Sequence, residues 1–179
     1  MKIATFAFIA FLSVSVSLSA QDNEKIVKYA YSNITEMGCF MEDPEYISIE
    51  MITVNGFSID KKHHLGIGLG FGTGDIFDLT SSYIPLFFNY RLYFSPEKKR
   101  SPHVNIAAGG LVVNGGGGIY SSLTIGFKAG RFSFSSGLSF MAIHRKELDY
   151  YYYRYLGTWS AEQAWNYPLG ITLKYGFTF

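Results

Sequence analysis

A single cysteine, Cys39, in 179 residues leaves no partner for a disulfide framework. Charge is scarce as well: Asp, Glu, Lys and Arg make up 16% of the chain, against about 25% in ordinary soluble domains. Beyond residue 20 no continuous apolar run reaches the roughly 20 residues of a helical membrane span, and no window reads as an amphipathic helix. A secretory signal peptide is expected over residues 1–20, with a short basic start at Lys2, an apolar run Ile3 to Leu12, and small residues before Gln21. Its removal leaves 14 basic and 14 acidic side chains. Without a basic surplus, nucleic acid is not an expected partner. Metal-ligand spacing is missing too. His63, His64, His103 and His144 form no H-x-x-x-H or Cys/His cluster, so neither a metal nor a cofactor is expected.

What the chain has is aromatics, at 18%, and alternation. The segment GIGLGFGTG, Gly66 to Gly74, puts five glycines at every second position. It fails as a dinucleotide loop, because no register supplies the third glycine of G-x-G-x-x-G. With Leu65, Ile67, Leu69 and Phe71 between the glycines, it reads as a strand with one apolar face and one bare face. The same period of two recurs in Ile84 to Phe94, Val104 to Val112, Leu123 to Lys128, Phe132 to Phe140 and Leu169 to Phe179. A weaker strand is expected over Ala30 to Phe40, with Met37 and Cys39 out and Glu36 and Gly38 in. In the next strand Ile47, Ile49 and Met51 oppose Ser48 and Glu50. Ile52 and Val54 blur that alternation and suggest a bulge or a closing end.

Eight strands result. Asp60 to Lys62, Ser95 to Ser101 and Ala129 to Gly130 are the expected turns at one end. Met41 to Pro44, Gly74 to Ser81, Asn114 to Gly117 and Ile143 to Asn166 connect the strands at the other. This is the meander of an all-β, eight-stranded antiparallel up-and-down barrel. Two such barrels differ in polarity: a soluble carrier is apolar inside, whereas a transmembrane β-barrel is apolar outside. Here one face is bulky and apolar at nearly every alternate site, while the other holds Glu36, Glu50, Arg91, Lys128 and Lys174 among Gly, Ser and Thr. Charges tolerate a lumen where they pair, but not lipid. These five are therefore expected to form a lumenal charge network that plugs the bore. Tyr83, Phe87, Arg91 and Tyr93 are expected to use the room the five glycines leave.

The terminal YGFTF, with Tyr175, Phe177 and Phe179 at alternate positions, looks like the C-terminal signal read by outer-membrane barrel assembly machinery. Residues 21–179 resemble the small eight-stranded outer membrane protein beta-barrel domain family of Gram-negative bacteria, with OmpA/OmpX-type architecture. The resemblance implies an outer-membrane location, outer-membrane lipid and the assembly machinery as partners, and a non-enzymatic structural or surface-interaction role. Some eight-stranded barrels are lipid A enzymes, and the lipid A deacylases use a His-x-Ser pair; no histidine here is followed by serine two residues on. A pairing of His144 with Ser139 or Glu147 is the remaining enzymatic reading. A soluble lipocalin-like carrier of a hydrophobic small molecule is the other alternative. Finally, Tyr150, Tyr151, Tyr152, Tyr153, Tyr155, Trp159 and Trp165 crowd one long connection. They are expected either to extend the last two strands beyond the membrane or to form a binding surface for an extracellular ligand.

Overall fold

The computed structural model describes residues 28–43, 46–73, 82–113, 116–148 and 161–179. The strands are β1 (Tyr29–Asp43), β2 (Tyr46–Ile59), β3 (His63–Thr73), β4 (Ser82–Tyr93), β5 (Arg100–Val113), β6 (Gly116–Ala129), β7 (Phe132–Leu148), β8 (Ala161–Asn166) and β9 (Leu169–Thr178). Each pairs antiparallel with its neighbours, and β9 closes on β1. The two last strands are one stave. Ile143 lies opposite Asn166 and Phe140 opposite Leu169, an unbroken register, and Met141 N still donates to Pro168 O at 2.9 Å. Only the N–H that Pro168 lacks interrupts the ladder. The result is a closed, eight-stranded, up-and-down barrel.

Closure fixes the barrel's dimensions. Following paired residues around the wall from Tyr29 leads through Ile59, His63, Leu92, Val104, Ile125, Ser136 and Leu173 back to Cys39, ten residues further along β1. With strands spaced about 4.8 Å and rising about 3.3 Å per residue, that offset demands a tilt of about 40° and a backbone radius of about 8 Å. Side chains fill a bore of that size.

Alternation then sorts the residues. Leu86, Phe88, Ile125, Phe134, Leu169 and Ile171 lie exposed on the outer face, and Glu36, Glu50, Arg91, Thr124, Thr172 and Lys174 are buried in the bore. Ile52 and Val54 make no bulge. The β1–β2 register runs unbroken past both, and both are buried. They fill space beside β3, where a Cβ on Gly70 would overlap Ile52 and one on Gly66 would press on Val54. Phe87 occupies the room at Gly68 and Tyr83 that at Gly72. Arg91 and Tyr93, expected there as well, are not among the atoms that crowd those glycines. Arg91 instead crosses the bore to Glu36.

Strands also run further than the alternation indicates. Met41 to Asp43, Gly116, Gly117, Ile143 to Leu148 and Ala161 to Asn166 are ladder residues and not loop. The ribbon formed by 143–148 and 161–166 carries charges at successive positions, so no two-faced pattern marks it. Backbone pairing forms whatever the order of the side chains, so this ribbon shows in the register and not in the alternation. Residues 74–81, the Tyr150 to Trp159 cluster and the expected signal peptide lie outside the described residues.

At the opposite end Asp60 and Lys61 have φ of 52° and 56°, and Lys62 N donates to Ile59 O at 3.0 Å. This is a three-residue connection built on a β-turn, Ile59 to Lys62, whose two central residues are both left-handed, a conformation that favours Asn-Gly. Aspartate adopts that region with help from its side chain, here accepting from Lys28 N at 3.3 Å. Lysine has no such help. Lys61→Gly is expected to stabilise the protein by about 1 kcal/mol, read as a raised urea midpoint of unfolding.

Candidate functional site

The bore is polar towards the turn end and apolar towards the other. Arg91 on β4 reaches across it, where Nη2 donates to Glu36 Oε1 at 2.6 Å with both side chains buried. Arg91 Nε also donates to Asn105 Oδ1 at 3.4 Å, an oxygen that accepts from Asn89 Nδ2 at 2.8 Å. Lys174 on β9 lies 2.9 Å from Glu50 Oε1, again fully enclosed. The second Glu50 oxygen accepts from Tyr83 at 3.4 Å and Tyr120 at 3.5 Å, and Lys174 donates to the Tyr120 hydroxyl at 3.0 Å. Every member is thus held by partners from other strands. Beyond this layer Phe40, Ile52, Leu111, Met141 and Ile143 pack into an apolar plug with the Phe87 and Tyr120 rings, whose centroids are 5.2 Å apart.

Space for the charges comes from the closing ladder. In the β1–β9 register Glu36 lies opposite Gly176, and Gly38 lies opposite Lys174. A Cβ on Gly176 would come within 2.9 Å of Glu36 Cγ, and one on Gly38 within 3.0 Å of Lys174 Cγ. Glu-Met-Gly in the first strand and Lys-Tyr-Gly in the last are therefore matched large against small. That signal stands in the sequence, but reading it requires the register.

Of the five charges expected in the network, Lys128 stands apart. It is half-buried at the turn end, with Nζ 5.3 Å from the centroid of the Tyr93 ring, and has no carboxylate within 4.0 Å among the described residues. His64 and His103 are buried in the bore, and neither ring nitrogen of His103 is hydrogen-bonded among the described residues. His63 instead bonds the Tyr90 hydroxyl through Nδ1, at 2.9 Å. His144 and Ser139 sit on opposite faces of β7, five residues apart, and Ser139 is buried. Among the described residues no three His, Cys, Asp or Glu side chains cluster to hold a metal. Tyr175 and Phe179 are exposed and Phe177 half-buried on the outer wall, with the Phe177 and Phe179 rings 4.7 Å apart. Trp165 pairs across the ladder with His144.

Sequence reasoning missed a polar patch in the outer wall. Asn33 Nδ2 donates to Thr53 Oγ1 at 3.0 Å and to Asn55 Oδ1 at 2.7 Å. Thr35 Oγ1 donates to Asn33 Oδ1 at 3.2 Å, and the Tyr31 hydroxyl to Asn55 Oδ1 at 2.6 Å. Asn33 and Thr53 are buried although they point outwards. The patch satisfies its own polar groups, as buried polar atoms do in folded proteins. Asn33→Ala would strip several partners at once and is expected to cost about 1–3 kcal/mol, measured by urea unfolding.

The turn end is strongly basic. Lys28, Lys61, Lys62, Lys98, Lys99, Arg100, Lys128 and Arg131 gather there against Asp60 and Glu97 alone among the described residues.

Fold and bore together define a closed, eight-stranded, antiparallel β-barrel whose interior is filled by two buried ion pairs and an apolar plug. No protein-family model, curated protein or solved structure matches the chain.

Proposed function

We propose that the protein is an integral outer-membrane β-barrel of OmpA/OmpX-type architecture, exported by a cleavable signal peptide, non-enzymatic, and serving a structural or surface-interaction role. The observation that carries this reading is the inverted polarity of the wall. Twenty-five large hydrophobic side chains are exposed on the described surface while Glu36, Glu50, Arg91 and Lys174 are buried within. Soluble monomers rarely expose contiguous apolar patches beyond a few hundred Å², and a belt around a whole barrel far exceeds that.

The height of the belt supports the same reading. Along β4 and the residue that follows it the outward set runs from Ile84 to Phe94. At a tilt of about 40° each residue advances about 2.5 Å along the axis, so the ten steps cover about 25 Å. The apolar band of outer-membrane barrels is about as tall. A lipocalin-like carrier would need the reverse arrangement, with an apolar cavity in place of ion pairs. The filled bore favours a plug over a conducting pore. The outward Tyr175, Phe177 and Phe179 suit recognition by the barrel assembly machinery.

The test is fractionation after export in a Gram-negative host, followed by gel electrophoresis of heated and unheated detergent samples. Recovery in the outer-membrane fraction with a heat-dependent shift in mobility is expected. Folded, monodisperse protein in the aqueous fraction without detergent would overturn the reading.

A further inference from the structure

Three turns meet at the basic mouth of the barrel and enclose a recess of about 190 Å³. Tyr93 and Ser101 line it from the bore, and Lys61 from the β2–β3 turn, Lys98 and Lys99 from the β4–β5 loop and Lys128 from β6 complete its basic lining. We propose that this recess is an anion-binding pocket whose ligand presents a phosphate group.

Three features point to a ligand. Lys128 brings a half-buried charge into the recess and meets only the face of Tyr93, so its charge is left uncompensated by any described carboxylate. An ammonium partly removed from water is costly without a counter-charge, and an anion in the recess supplies one. Lys61 occupies a left-handed turn position at φ 56°, where glycine would relieve strain. Strain kept at such a position marks a side chain retained for what it does. The surrounding backbone is also tied in place. Lys98 N donates to Ser95 O at 3.1 Å, Gly130 N to Lys99 O at 3.1 Å, and Ser95 N to Ser101 Oγ at 3.2 Å. The second of these bonds joins the β4–β5 loop to the β6–β7 turn, so two walls of the recess are held before any ligand arrives.

The chemistry of the donors selects the ligand class. Lysine ammonium groups are compact point charges that donate to oxygens in several directions, whereas the arginine fork grips a coplanar pair of oxygens, from a carboxylate or a phosphate alike. Among the described residues no arginine lines the recess. A phosphate offers oxygens in several directions, as lysines converging from different turns require. The phosphodiester of an anionic lipid headgroup and a soluble phosphate share this chemistry.

The mature chain, folded in an uncharged maltoside micelle, is titrated with inorganic phosphate and followed by phosphorus NMR. Saturable binding is expected, weakened about tenfold in Lys128→Gln, the loss of one charge-assisted hydrogen bond. Lys62→Gln removes the same charge at the same end but outside the recess, and is expected to weaken binding less than about twofold, as a screened surface charge does. Lys61→Gly should bind phosphate more weakly while unfolding at higher urea, a combination that a purely structural lysine cannot produce. Retention of the heat-dependent gel shift certifies folding, and Lys98→Gln, on an exposed loop, substitutes for Lys128→Gln should that variant misfold. Absence of saturable binding by the native chain, or an equal loss in Lys62→Gln and Lys128→Gln, would overturn the pocket. In vesicles of phosphatidylcholine with a minor share of phosphatidylglycerol, a preference for the anionic lipid that Lys128→Gln abolishes identifies the headgroup as ligand. Saturable phosphate binding without that preference identifies a soluble phosphate.

Discussion

Arg91→Met is expected to destabilise the barrel by about 3–5 kcal/mol, because it leaves the Glu36 carboxylate enclosed without its counter-charge. The loss should appear as a lower midpoint in urea unfolding of the folded protein. Much of it should return in the double variant Glu36→Gln, Arg91→Met, since removing both charges removes the uncompensated group. If the single and double variants were equally unstable, Arg91 would be acting through packing and its bonds to Asn105 instead of through the ion pair. Lys174→Met should behave alike towards Glu50. There the hydroxyls of Tyr83 and Tyr120 remain to solvate the carboxylate, so the smaller penalty of the two is expected.

Gly68→Val is expected to cost on the order of 3 kcal/mol, at the upper end of overpacking penalties. A Cβ at residue 68 would overlap the Phe87 ring, which also packs against Tyr120 with ring centroids 5.2 Å apart. Phe87→Ala alone is expected to cost about 3–5 kcal/mol by opening a cavity. Combined, the two changes should cost less than their sum, as residues in contact are not additive. Strict additivity in urea unfolding would mean that the glycine is kept for its backbone freedom and not for the space beside it.

The residues show why some features were legible and others were not. Outward Leu86, Phe134 and Leu173 and inward Arg91 and Lys174 follow from alternation alone, because side chains on a strand change face at every step. Ile52 and Val54 defeated that reading, since an apolar residue can serve either face. Their inward direction emerges only when the glycines of β3 are seen lying beside them. Tyr31, Asn33, Thr35, Thr53 and Asn55 defeated it from the other side: polar residues stand outward here because each finds a partner on the adjacent strand. The Ile143 to Leu148 ribbon left no mark at all, since its charged residues stand at successive positions and backbone pairing does not require alternation.

Pairing is what composition could not reach. Glu36 has Arg91 as its counter-charge, 55 residues away, and Glu50 has Lys174. Nothing local distinguishes these partnerships from the reverse assignment, and the free position of Lys128 at the mouth is equally invisible. The chain's own order of apolar and polar residues determined strand number, the direction of each face and the closed meander, because those depend on a period of two and on turn length. Tertiary structure alone decided which charge meets which and where the lysines converge, because these depend on the ten-residue offset with which β9 returns to β1.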